Sequence, residues 1–318
     1  MPDPSVPPAA PVLEVEGISL RFGGLQALKD VSLQVGEYEI VGLIGPNGAG
    51  KTTAFNCVTG FYKPNEGRIA HRGHDVTAMA PYQRAARGLG RTFQNVGMVK
   101  GATALDNLLT AQHVHAGYGS AAGILGTGTV RTAEAQLTHR ADAVLDLLGL
   151  QEIRDKRVGG LPYGTLKLLE VGCALATDPD VLLLDEPSSG MGPEEAHALG
   201  DRLLALRKQL GLTILLIEHH VPLVTRVCDH VYVLVSGQLL VEGDPETVRA
   251  HPEVISAYLG TPVEAVAATP EHTEELLEAK HQREAGARRA PARRPVAPPS
   301  APPPVTTPRP PRPKKVQP

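Results

Sequence analysis

Apolar and polar residues alternate along the first part of the chain. Leu13-Glu14-Val15-Glu16, Ile18–Phe22 and Val31–Val35 each switch with a period of two, with glycines between them. That period puts successive side chains on opposite faces of an extended backbone, so these stretches predict half-buried antiparallel strands. Glu39–Ile44 is more continuously apolar and suits a strand covered on both faces. It runs into a glycine-rich loop, and Thr52–Thr59 predicts a helix behind that loop. In the middle of the chain Ala104–His115 and Thr132–Leu148 read as helices. In the second, Ala141, Val144, Leu145 and Leu148 repeat at i, i+3, i+4 and i+7. Gly117–Gly128 between them reads as a loop. Val181–Leu184 and Thr213–Ile217 are again strand-like, and the helical Pro193–Gln209 lies between them, which makes a βαβ crossover and hence a parallel sheet. Val231–Val235, Ser236-Gly237 and Leu239–Val241 read as a terminal hairpin. The predicted class is α/β: a phosphate-loop core with a parallel sheet, an antiparallel flank and a helical insertion.

Composition narrows the setting. The 318 residues are 42% hydrophobic and carry a net charge of -3, which suits a globular chain and gives no basic domain for a nucleic acid to bind. Cys57, Cys173 and Cys228 are widely spaced and form no CxxC pair, so neither a disulfide framework nor a zinc site is expected, and a reducing compartment fits. The Pro-rich residues 1–11 lack the basic-then-apolar order of a secretory signal and read as disordered. The apolar runs fall well short of the roughly 20 residues a membrane-crossing helix needs, so any membrane role is peripheral. From Ala279 to Pro318 there are ten Lys and Arg against one acid, Glu284, and prolines crowd the stretch. Residues 261–318 therefore read as a disordered Pro/Arg-rich tail, with a short helix possible over Pro270–Gln282 capped by Thr269. The tail is expected to be a solvated extension. The alternative is that Arg288, Arg289, Arg293, Arg294, Lys314 and Lys315 attract anionic lipid headgroups.

Two segments carry recognisable chemistry. In Gly45-Pro46-Asn47-Gly48-Ala49-Gly50-Lys51-Thr52, followed by Thr53, glycines let backbone N–H groups turn inward around phosphate oxygens, and the following helix adds its positive end. Lys51 would hold the β- and γ-phosphates of ATP, and the Thr52 hydroxyl would reach Mg²⁺. Val181-Leu182-Leu183-Leu184-Asp185-Glu186-Pro187 delivers two carboxylates at the C-terminal end of a strand, where open α/β sheets place ligands. Asp185 would hold Mg²⁺ through water, and Glu186 would polarise the water that attacks the γ-phosphorus. On its own an Asp-Glu pair after a strand could equally be a helix cap.

With these in order, the sequence resembles the ATP-binding cassette family, and more narrowly the ATPases of branched-chain amino-acid importers. The likeness spans residues 12–260 and is carried by Arg21–Leu25, Phe55–Tyr62, Gly90–Asn95, Asn107–His113, Tyr163-Gly164, Ile217-Glu218-His219 and Ala257–Gly260. The resemblance implies that Gln94 reaches Mg²⁺ and the water, that His219 contacts the γ-phosphate, and that Phe22 stacks on adenine, although a core Phe22 is a comparable reading. It implies a helical subdomain at about 95–165 and a signature segment at Leu161-Pro162-Tyr163-Gly164-Thr165, which completes the ATP site of a second subunit. Here the chain departs from the usual Leu-Ser-Gly-Gly-Gln: Pro162 offers neither hydroxyl nor N–H, so contacts fall to the backbone of Tyr163, Gly164 and Thr165. Gly192 stands where the family often has Asp, and His220 follows the switch histidine where Asp is frequent.

The implied function is an ATP-hydrolysing transporter subunit at the cytoplasmic face of a membrane. Its implied partners are a second cassette, identical or different, integral membrane permease subunits and, indirectly, an extracytoplasmic solute-binding protein. The competing readings are a soluble cassette ATPase acting on DNA or ribosomes, and the ATPase of a lipid exporter. The first would bring a long coiled coil or a second glycine-rich loop, and neither is present. A GTPase would need an Asn-Lys-x-Asp segment, also missing.

Overall fold

The computed structural model describes residues 10–92, 98–112 and 128–259. Strands β1 (Leu13–Phe22), β2 (Leu25–Val35), β4 (Glu66–His71) and β5 (His74–Asp75) form an antiparallel sheet in the order β2-β1-β4-β5. A six-stranded sheet has the order β10-β9-β3-β8-β7-β6. In it β3 (Ile40–Ile44), β6 (Leu89–Arg91), β7 (Val181–Asp185), β8 (Thr213–Ile217) and β9 (His230–Val235) are parallel, and β10 (Gln238–Gly243) turns back against β9.

Every residue of β3, β7 and β8 is buried, as continuous apolar runs in a doubly covered sheet should be. The period of two sorts their side chains. Ile40, Ile44, Leu182, Leu184, Ile214 and Leu216 face one core with the helices of the second half of the chain. Val41, Leu43, Val181, Leu183, Leu215 and Ile217 face the other, shared with the antiparallel sheet and with α1 (Lys51–Val58). Burying a Leu or Ile side chain stabilises the fold by about 2 kcal/mol, so each central strand adds to both layers at once. The helical part of the first core comprises α3 (Ala104–Ala111), α4 (Gly128–Leu147), α5 (Tyr163–Leu175) and α6 (Pro193–Leu210), with the short α2 (Pro81–Ala85) elsewhere in the chain order. Helices α7 (Val221–Val227), α8 (Pro245–Arg249) and α9 (Pro252–Leu259) complete the described chain.

Several boundaries differ from the pattern. Glycine at position 17 does not divide two strands. It sits at φ 55 within β1, where the register against β2 shifts between Val15 and Ile18, so the chain absorbs it as a bulge. The helix expected to begin at Thr132 begins at Gly128, and β2 starts at Leu25 rather than Val31. The predicted loop at 117–128 and the end of the helix predicted to His115 fall largely outside the described residues, as do Gln94, the 270–282 helix and the tail. Strand β4 and the helices Val221–Val227, Pro245–Arg249 and Pro252–Leu259 were not anticipated from periodicity. The terminal hairpin forms as expected, with Ser236 at φ 49 and Gly237 at φ 78, the two positive values its tight turn requires. Cys57, Cys173 and Cys228 are free thiols. Among the described residues no helix is long and apolar enough to cross a membrane.

Candidate nucleotide site

Because β3, β7 and β8 are parallel neighbours, their C-terminal ends lie along one edge of the sheet. That edge carries Gly45 after β3, Asp185 and Glu186 at the end of β7, and His219 after β8.

The loop after β3 has no room for other residues at its ends. Gly45 has φ 152, and a Cβ there would lie 2.1 Å from the Leu234 carbonyl oxygen. Gly50 has φ 103, and a Cβ would meet the Ala27 carbonyl oxygen at 2.9 Å. The hairpin turn braces the loop from behind: Gly237 N–H donates to the Ala49 carbonyl (2.9 Å), and Lys29 N–H donates to the Gly237 carbonyl (2.8 Å). Asn47 and Gly48 are exposed at the crest, while Thr52 and Thr53 are half-buried in the first turn of α1. That turn holds no acidic residue, so the positive end of the helix is not neutralised locally. Lys51 is buried, and its Nζ donates to the carbonyls of Gly45 (2.7 Å) and Pro46 (3.0 Å). Burial holds its ammonium pKa below the ordinary lysine value, against the pull of Glu186 and Asp185. The cation therefore senses both carboxylates.

Asp185 is almost fully buried. Its backbone N–H donates to the Thr92 hydroxyl (3.2 Å), and its Oδ2 accepts from Arg91 Nη2 (3.2 Å). Burial raises its carboxyl pKa, and the Arg91 cation opposes the rise. Glu186 leaves the strand with φ 49, unusual for a residue with a Cβ, while its N–H still donates to the Ile217 carbonyl at 2.9 Å. This sends its side chain away from that of Asp185 and toward His219: Glu186 Oε1 lies 3.7 Å from His219 Nδ1. Both side chains remain open to solvent, 26% and 52% exposed, so water can reach the pair. The next helix begins only at Pro193, with Gly192 at its N-cap, so neither carboxylate stands at a helix start.

Glu218 was not assigned a role from the sequence. It is fully buried, and its Oε1 accepts the Ser188 N–H (2.8 Å), while Oε2 accepts the N–H groups of His219 (3.1 Å) and His220 (3.4 Å). One carboxylate thus ties the loop after Glu186 to the loop bearing His219. The available signal was a charged residue closing an otherwise apolar strand, Thr213–Ile217.

The segment 161–165 enters α5 through Pro162, which occupies the N-cap without a side-chain hydrogen bond, and Leu166 N–H donates to its carbonyl at 3.0 Å. Leu161, Gly164 and Thr165 are half-buried, and Pro162 and Tyr163 are exposed. Within the chain the segment leans on the loop after Glu186: a Cβ on Gly190 would lie 2.7 Å from Tyr163 Cε1. Gly192 caps α6, and its N–H donates to Glu195 Oε2 (3.0 Å). Phe22 is 46% exposed, with its ring edge-on to Tyr62 at 5.1 Å, so it is not a core residue.

Known proteins match this chain in sequence and fold. The family described as "ABC transporter" matches residues 28–189, and the family described as "Branched-chain amino acid ATP-binding cassette transporter" matches residues 238–264. The high-affinity branched-chain amino acid transport ATP-binding protein LivG of Salmonella typhimurium is 44% identical over 250 residues, 79% of this chain and 98% of that protein. The corresponding protein BraF of Pseudomonas aeruginosa is 43% identical over the same shares. Among solved structures, an ATP-binding cassette of an ABC transporter in its ADP conformation superposes with a TM-score of 0.70 at 34% identity, covering 80% of this chain and all of that one. On these matches the chain is an ATP-binding and ATP-hydrolysing subunit of an ABC transporter and belongs to the branched-chain amino acid branch of that family.

Proposed function

We propose that residues 12–260 form a cassette that hydrolyses ATP from the cytoplasmic face of a membrane to drive uptake of branched-chain amino acids or a related small solute. The observation carrying the mechanism is the convergence of Lys51, Asp185, Glu186 and His219 on one sheet edge, with the Glu186 and His219 side chains 3.7 Å apart.

The loop of residues 45–52, whose crest is exposed at Asn47 and Gly48, and the N-terminal end of α1 receive the phosphates. Lys51 exchanges the Gly45 and Pro46 carbonyls for phosphate oxygens. Thr53 adds a second hydroxyl beside Thr52 in the same turn, and Phe22, exposed next to Tyr62, offers its ring to the adenine. The Thr52 hydroxyl and the Asp185 carboxylate are hard oxygen donors that fit Mg²⁺, with Gln94 as a further oxygen ligand. When bound, that ion neutralises phosphate charge during transfer. Glu186 accepts a proton from water as its oxygen bonds the γ-phosphorus and the bond to the β-bridging oxygen breaks, leaving ADP and phosphate. His219 contacts the γ-phosphate and orients Glu186. The amides at the start of α5, from residues 161–165 of a second cassette, close the site from the other side. That cassette is an identical or a different chain, and permease subunits transmit its opening and closing, with a solute-binding protein acting beyond them.

Glu186→Gln tests the assignment. The variant should bind ATP as wild type does, lose turnover by about 100-fold or more, and accumulate on size-exclusion chromatography as an ATP-bound dimer. Near-normal turnover would remove Glu186 from the mechanism. Uptake of leucine into vesicles holding the assembled transporter tests the solute.

A further inference from the structure

Arg91 closes β6, yet its side chain turns inward and is only 10% exposed. Its guanidinium spans three parts of the site. Nη1 donates to Asn56 Oδ1 (2.6 Å) on α1 and to Thr59 Oγ1 (2.8 Å), the residue capping that helix. Nη2 donates to Asp185 Oδ2 (3.2 Å), and Nε donates to the Thr92 carbonyl (3.3 Å). The cation lies over the rings of Phe55 and Phe61, at 5.2 and 5.5 Å from their centroids. The next residue, Thr92, accepts the Asp185 N–H and donates its own N–H to Leu183. Two consecutive residues therefore hold Asp185, one by its side chain and one by its backbone.

A buried ion pair contributes little net stability once desolvation is counted, so the pair with Asp185 is poorly explained as a brace for the fold. A planar fork of donors, fixed by two rings and three neutral acceptors, is suited to defining the direction of a carboxylate. The same helix that begins with Lys51 and Thr52 ends at the Arg91 acceptors. Arg91 and Thr92 also line a cavity of about 270 Å³ with Met98, Asn107, Glu170 and Cys173 from the helical part of the chain.

We propose that Arg91 is a positioning residue for ATP hydrolysis: it fixes the Asp185 carboxylate in register with the phosphate-loop helix and so sets how strongly the nucleotide is held through Mg²⁺. This rests on the reading of Asp185 as a group that faces that ion.

The test is Arg91→Lys, which keeps the charge but cannot serve the Asn56, Thr59 and Asp185 oxygens together. The readout is the affinity of the full chain for a fluorescent ATP analogue in Mg²⁺ and in EDTA. The gain in affinity on adding Mg²⁺ should fall about tenfold, the range found for partners that orient a metal ligand, while affinity in EDTA stays within about twofold. Asp185→Asn is the reference and should abolish the gain. If Asp185→Asn removes the gain and Arg91→Lys leaves it intact, the inference about Arg91 is overturned and the role of Asp185 stands. If Asp185→Asn itself keeps the gain, the underlying reading fails and the inference with it. Should Arg91→Lys not fold, Thr59→Val removes one acceptor and leaves the arginine in place. A loss of about twofold then supports the proposal, and an unchanged gain overturns it.

Discussion

Replacing Glu218 tests whether the two reactive loops act as a unit. Its carboxylate accepts three backbone N–H groups, from Ser188, His219 and His220, at 2.8, 3.1 and 3.4 Å in a fully buried position. Orphaning a buried donor costs about 1–3 kcal/mol, and the longest of these bonds counts least. Glu218→Ala should therefore destabilise the fold by about 3–4 kcal/mol. Glu218→Gln is the sharper variant because it preserves volume. Its one carbonyl oxygen can serve Ser188 or the two histidine amides, and its NH₂ then faces donors, for a cost of about 2 kcal/mol. For a domain of this size that is a drop in Tm of about 4–8 °C. Loosening either loop moves Glu186 against His219, and a misplacement of about 1 Å costs on the order of 100-fold in rate. Steady-state ATPase assays and thermal unfolding measure both, and ATP binding through the phosphate loop should persist. Glu218→Gln with the Tm and kcat of wild type would refute the idea that this carboxylate holds the loops together.

Gly45→Ala and Gly48→Ala should separate sharply. The first drives a Cβ to 2.1 Å from the Leu234 carbonyl and should cost about 3 kcal/mol or more with loss of nucleotide binding, whereas the second meets open space and pays only for φ 81, about 1 kcal/mol. Equal unfolding midpoints would argue against the packing account. Burial raises the Asp185 carboxyl pKa, so the folded chain holds that proton more tightly than the unfolded chain. The stability it contributes is present below the ordinary carboxylate range and is lost as pH rises through the raised value. Urea unfolding at several pH values should show wild type falling relative to Asp185→Asn across that window, and parallel profiles would contradict it.

The periodic part of the fold was legible, and the aperiodic part was not. β3, β7 and β8 are near-continuous apolar runs broken only by Gly42 and, at strand ends, Asp185 and Thr213, and β9 and β10 flank a Ser-Gly turn whose backbone demands are readable. β6 escaped notice because three residues, Leu89–Arg91, give no period and one of them is a cation. The helices Val221–Val227 and Pro245–Arg249 are at most two turns long and owe their form to packing on the sheet rather than to a stripe. Lys51 is legible from the glycine-loop motif and Asp185 and Glu186 from the end of an apolar strand, whereas His219 stands out only through the family resemblance. Arg91 and Glu218 are not legible in the sequence because the partners that tie them to other elements, Asn56, Thr59 and Asp185 for one and Ser188 for the other, lie 30 or more residues away.

The proposed mechanism depends on the way the sheet shares its supports. A parallel sheet ends several strands at one edge, but strand ends alone leave loops free to wander. Here each reactive loop is fastened to a neighbour: residues 45–50 to the hairpin turn through Gly237, the 186–190 loop to the 219 loop through Glu218, and Asp185 to α1 through Arg91. The bond from Glu186 N–H to Ile217 closes the ring, because it holds the strained φ of the carboxylate that faces His219. Each cross-link replaces loop entropy with a fixed distance, and fixed distances are what proton transfer to a single water requires. The glycines and the strained Glu186 are tolerable only because those links over-determine them, and an isolated copy of the Gly45–Thr52 loop should therefore bind phosphate far more weakly than the assembled edge.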